Sequence, residues 1–133
     1  MPLIESTYRS PFGFGNGHFQ SIYPALWRRV PAVDWNRERI ETPDTDFLDL
    51  DCSGPGSKRV AILSHGLEGH ANQPYIRGMA HALMKRGWDV VAWNCRGCSG
   101  EPNRLLQFYH SGSSDDLGTV MKHVLASGRW REV

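Results

Sequence analysis

The sequence predicts an α/β fold: an antiparallel hairpin, then a parallel β–α–β–α run, giving a mostly parallel sheet with helices on both faces. Three observations carry this. The segments "RERIET" and "FLDLDC" flank the turn-rich tetrapeptide "PDTD" at 43–46, the pattern of a hairpin. Two short apolar runs, "RVAILS" (59–64) and "WDVVAW" (88–93), have the continuous character of strands covered on both sides. Between and after them lie two stretches that each carry one apolar stripe at helical spacing.

Taken in order, residues 1–35 are rich in aromatics, Gly and Pro with no sustained period, and are expected to form an arm packing on the domain of residues 36–133. Within the arm, "GHFQSIYPALWRR" (17–29) predicts a short helix interrupted or restarted at Pro24. In the second hairpin strand Phe47, Asp49 and Asp51 alternate with Leu48, Leu50 and Cys52, so one face is apolar. "PYIRGMAHALMKRG" (74–87) aligns Ile76, Met79, Ala80, Leu83 and Met84, with Pro74 suited to the first turn and Gly87 to the residue past the end. "NCRGCSGEPNRLLQFYHSGS" (94–113) is long for a connection, and such loops in compact domains are usually functional. The last helix should start at a capping box of Ser113 and Asp116, align Leu117, Val120, Met121, Val124 and Leu125, and stop at Gly128. Only Arg129–Val133 follow, so no strand is expected after it, and the chain has the appearance of the front half of an α/β domain.

Bulk properties narrow the function classes. The 133 residues carry a net charge of +1 with basic residues scattered among acids, which gives little support for nucleic-acid binding. No apolar run approaches the ~20 residues that span a bilayer, so no membrane span is expected. "MPLIESTYRSPFGFG" lacks the charged start and apolar core of a secretory signal. Three cysteines, Cys52, Cys95 and Cys98, point to a reducing cytoplasm rather than a disulfide scaffold.

The chemistry concentrates where "RVAILS" runs into "HGLEGH". Glycines just past the carboxyl end of a parallel strand let the backbone approach a ligand closely. One reading is an oxyanion hole, with backbone N–H groups after His65-Gly66 aimed at developing negative charge. The other is a tight strand-to-helix turn in which Gly66 and Gly69 only provide room. Arg96, Gly97, Ser99 and Gly100 either line a substrate pocket, or Arg96 and Asn94 bind backbone carbonyls to hold their loop. Ser64, Ser99 and Ser111 with His65, His70 and His110 are nucleophile–base partners on paper, yet a serine needs a base within hydrogen-bond reach. His110 either approaches the site or orders its loop. Cys95-Arg96-Gly97-Cys98 is a C-x-x-C that would suit a thiol redox module if a helix amino terminus followed; "SGEPNR" is a poor helix start. A metal site needs about four ligands, so neither metal nor cofactor is expected.

"LSHGLEG", "PYIRGMAHALMKRGWDVVAWNCRGCSGEPN" and "FYHSGSSDDL", in this order, resemble the YheT-like branch of the α/β-hydrolases, esterases with abhydrolase-domain relatives in eukaryotes. "GHFQSIYPALWRR" and "ETPDTDFLDLD" resemble that branch's amino-terminal region, so the likeness runs from about Phe12 onward. It implies the amino-terminal half of an α/β-hydrolase fold. It also implies that the residue after His-Gly, Leu67, offers its N–H to an oxyanion, with His65, Gly66, Glu68 and Gly69 shaping the loop. The family uses a Gly-x-Ser-x-Gly nucleophile, followed by an acid and a histidine. No such motif occurs here, and the elbow is expected beyond this chain. The implied function is carboxylic ester hydrolysis on a small-molecule ester, with this chain inactive alone. The alternatives are a non-enzymatic remnant or binding half, and the C-x-x-C redox module. The family commonly has Gly at Thr45 and Trp at Cys52, so the hairpin should be loosened at both positions. A missing neighbour would leave "RVAILS" with a free edge, open to self-association.

Overall fold

A computed structural model describes residues 6–110 and 112–133. The hairpin forms as its turn chemistry dictates: β1 (Asn36–Glu41) pairs antiparallel with β2 (Phe47–Ser53), Arg37 opposite Asp51 and Arg39 opposite Asp49. The alternation of β2 does not place its aspartates in water. Asp49 and Asp51 are buried, because Arg39 grips Asp49 with two hydrogen bonds of 2.7 and 2.8 Å and Arg37 grips Asp51 at 2.8 and 2.9 Å. Cross-strand guanidiniums thus supply the partners that buried carboxylates need.

The apolar runs form β3 (Val60–Ser64) and β4 (Asp89–Asn94), paired in parallel and joined by α2 (Pro74–Met84). β4 also pairs antiparallel with β2, giving the order β1-β2-β4-β3. One parallel and two antiparallel ladders make this a mixed sheet. Central β4 is buried throughout, and its alternation serves both faces. Val91 and Trp93 join Val120 and Val124 of α3 (Ser114–Ala126), together with Ile40, Leu48 and Leu50. Val90 meets Ala80 of α2 and Val33, while Ala92 meets Ile76 of α2. Helices therefore cover opposite faces, as the two-sided apolar strands require.

Three local expectations need correction. α1 (Gly17–Leu26) runs unbroken through Pro24, with Asn16 accepting from the His18 N–H; none of its residues is buried, and the stretch that packs against α2 lies further on, around Val33. Ser113 precedes α3 without a capping side-chain bond: its Oγ accepts the His110 N–H at 2.9 Å, and Asp116 binds Arg96 rather than reaching back to Ser113. Finally, the segment after α3 begins a further parallel pairing with β3: Arg131 N–H donates to the Lys58 carbonyl at 2.7 Å, and Val60 N–H donates to the Glu132 carbonyl at 2.9 Å.

Candidate functional site

The parallel pair delivers its two following loops to the same end of the sheet, the position where open α/β sheets bind ligands. Between these loops lies a cleft of about 690 Å³, lined by Leu67, Glu68, Gly69 and His70 from one loop and by Arg96, Gly97, Cys98 and Tyr109 from the other. Its size falls in the range of small-molecule sites. A second hollow of about 460 Å³ shares Leu67 and adds His65, Gly66 and His110. The structure therefore brings His65, Gly66, Leu67 and His110 to one hollow, and Leu67, Glu68, Gly69 and Arg96 to the adjoining cleft.

The turn after β3 is tightly specified. Gly69 N–H donates to the Gly66 carbonyl at 3.0 Å. His65 is buried, and its ring is held on both sides: Nε2 accepts the Cys95 backbone N–H at 3.0 Å, which leaves Nδ1 to donate to the Gly66 carbonyl at 2.8 Å. Glu68 occupies the left-handed region at φ 53°. Leu67 is 86% exposed, and among the described residues its N–H has no acceptor. An unpaired amide beside a cleft is the element an oxyanion hole requires.

The chain is similar to curated proteins over most of its length. It is 45% identical to YheT of Escherichia coli K12, an esterase by name, over 83% of this chain and 34% of that protein. It is 34% identical to the embryogenesis-associated protein EMB8 of Picea glauca, over 86% of this chain and 27% of that one. Human phospholipase ABHD3 matches at 30% identity over 92% of this chain and 32% of its own length. Among solved structures, the Pyrococcus furiosus esterase Pf2001 superposes with a TM-score of 0.60 at 21% identity, covering 77% of this chain and 44% of that one. An alpha-beta serine hydrolase homologue from Coxiella burnetii gives 0.55 at 22% identity, covering 72% and 47%. The chain belongs to the YheT-like branch of the α/β-hydrolases. It spans about a third of the length of the curated relatives it matches. No protein-family model matches it.

Within this α/β-hydrolase framework, the loop after β4 is held by a buried ion cluster. Arg96 binds Asp116 at 2.7 and 2.9 Å and Asp44 at 2.7 and 3.2 Å, with Asp46 at 3.3 Å. Its partners are carboxylates from the hairpin turn and α3, not the backbone carbonyls expected. The Arg96 hydrogen bond, with that of Thr42, holds Asp44 down to about 2. Asn94 does bind a backbone carbonyl, as expected: its Nδ2 donates to the Asp49 carbonyl at 3.1 Å and to the Asp51 carboxylate at 2.8 Å, while its Oδ1 accepts the Ala71 N–H at 2.9 Å.

The local substitutes for a triad do not meet. Ser64 Oγ accepts from the Trp93 indole N–H at 2.5 Å, and His70 Nδ1 accepts the Asn72 N–H at 3.2 Å. His110 Nδ1 accepts the Gly112 N–H at 3.1 Å, and Ser111 lies outside the described residues. Among the described residues no serine hydroxyl bonds an imidazole. Nor does the C-x-x-C resemble a redox pair, because burial pushes the Cys95 thiol up to about 12 and Cys98 upward as well. A redox thiolate needs the opposite shift.

Two residues escaped the sequence reading. Tyr75 accepts the Gly66 N–H at 2.7 Å through its hydroxyl, and Tyr109 accepts the Glu68 N–H. Tyr75 carried only the signal of a helix start, and Tyr109 that of the "FYHSG" loop. Neither spacing, 9 and 41 residues from its partner, is visible in a local pattern.

Proposed function

We propose that this chain supplies the oxyanion side of a carboxylic ester hydrolase site. The unpaired Leu67 amide at the cleft is the observation that carries the reading. As a nucleophile adds to an ester carbonyl, the carbonyl oxygen gains negative charge. An amide already directed by its turn stabilises that charge without reorganising, and loss of one such donor costs ~10²–10³ in kcat. The esterase and phospholipase names of the relatives support an ester as substrate class.

No Gly-x-Ser-x-Gly motif is present in this sequence, and among the described residues no serine hydroxyl bonds an imidazole ring. We therefore infer that the chain alone does not turn over ester, the nucleophile being supplied by sequence of the kind that follows in longer relatives. The test uses p-nitrophenyl acetate. This chain alone should give no turnover sensitive to serine reagents. Turnover should appear on mixing it with a separately produced carboxyl-terminal two-thirds of YheT. Serine-reagent-sensitive turnover by the chain alone, or no gain on mixing, overturns the reading.

A binding half is the second reading, favoured by the β3 edge. Val60 N–H points outward to the Glu132 carbonyl, and by strand alternation Ile62 and Ser64 aim their N–H groups the same way, facing no strand among the described residues. Such an edge templates pairing. We expect the isolated chain to associate through it; a dispersed monomer in sedimentation velocity, with cooperative unfolding, contradicts this. The division at residues 35/36 and a cytoplasmic location, the latter resting on three free cysteines, belong to the same proposal. Among the described residues no helix is long and apolar enough to cross a membrane.

A further inference from the structure

We infer that Tyr75 and Tyr109 are positioning residues that clamp the Gly66–Gly69 turn in the shape that leaves the Leu67 amide free. The inference rests on the reading of Leu67 as an anion-binding donor. Of four successive amides, three are satisfied inside the protein. Gly66 donates to the Tyr75 hydroxyl at 2.7 Å, Glu68 to the Tyr109 hydroxyl, and Gly69 to the Gly66 carbonyl at 3.0 Å. Leu67, between the two tyrosine-bound amides, is the exception among the described residues.

The clamp closes from two directions. Tyr75 stands in the first turn of α2, after the site loop, and Tyr109 in the long loop after β4. Each phenolic oxygen acts as an acceptor, which is what an orphan N–H at a loop requires. The Tyr109 bond falls on Glu68, whose left-handed backbone is adopted by a non-glycine residue only when its surroundings hold it there. The turn also leaves little room at Gly69: a Cβ there would lie 3.0 Å from both the Tyr75 hydroxyl and the Gly66 carbonyl oxygen and 3.1 Å from the His65 Cβ. Removing either hydroxyl frees a second amide next to Leu67. The turn then loses the single unpaired donor that gives an anion one place to sit.

The variants Tyr75→Phe and Tyr109→Phe delete one oxygen each and keep both rings. In ¹⁵N-labelled protein, Tyr75→Phe should speed exchange of the Gly66 amide about two- to ten-fold, and Tyr109→Phe that of Glu68 by a similar factor, with the Val91 amide unchanged. Phenylphosphonate, the anion probe, should shift the Leu67 amide resonance in the wild-type chain, and by less than half as much in either variant. Unchanged exchange, or an equal Leu67 shift in the variants, overturns the clamp. Absence of any Leu67 shift in the wild-type chain overturns the anion-binding reading instead, and the exchange rates still judge the clamp by themselves.

Discussion

Thr45→Gly should stabilise this protein. The β1–β2 connection is a three-residue loop: Thr45 N–H donates to the Thr42 carbonyl at 3.0 Å, and Thr42 N–H donates to the Asp46 carbonyl at 3.0 Å. This places a turn over Thr42–Thr45 and then requires a left-handed residue to rejoin the strands. Thr45 fills that place at φ 68°. A β-branched residue is an outlier there, at a cost of about 1–2 kcal/mol. Its exposed side chain makes no hydrogen bond, and its carbonyl, which accepts from Arg104 at 2.8 Å, survives substitution. Glycine relieves the strain and returns about 0.5–1 kcal/mol as extra unfolded-state entropy, so the net gain is about 0.5–1 kcal/mol. An unfolding entropy of ~2.1 cal/mol/K per residue makes that gain a rise of roughly 2–4 °C in Tm for a chain of this size. Thermal melts followed by circular dichroism measure it, with Thr45→Ala as the control that keeps a Cβ at positive φ and should show no gain. A Thr45→Gly melt at or below the wild-type value would refute the strain argument.

Further outcomes follow from the buried charges and thiols. Arg96→Met leaves Asp46 and Asp116 buried without their cation, and should cost about 3–5 kcal/mol in urea unfolding at neutral pH. A loss below about 1 kcal/mol would mean the cluster is solvated. Asp44 is held below its ordinary 3.8 by Arg96, so its stabilising contribution is present above that value and fades as pH falls toward about 2; the gap between wild type and variant should narrow over this window. Cys95, raised to about 12 by burial, should resist iodoacetamide at pH 8 until urea is added, and its raised value stabilises the fold fully below pH 9.0 and progressively less as pH climbs toward 12. Fast alkylation of Cys95 in the native chain would contradict its burial.

Local chemistry alone determined much of this protein. Two-sided apolar runs specified β3 and β4, helical stripes specified α2 and α3, and the glycine turn after β3 marked a loop that lines the cleft. Each of these signals lies within a window of a dozen residues, where backbone period and side-chain type suffice. Tertiary structure decided the rest. The alternation in β2 gave an apolar face but no partners for Asp49 and Asp51; register set Arg37 and Arg39 across from them. Asp116 looked like a helix cap until Arg96, 20 residues earlier in the chain, claimed it. The Leu67 amide has tied neighbours because Tyr75 and Tyr109 arrive from elements on either side of the turn. Pairings of this kind depend on which strand lies beside which, and a carboxylate or amide takes the partner that the assembled sheet brings within about 3 Å rather than the one nearest in sequence.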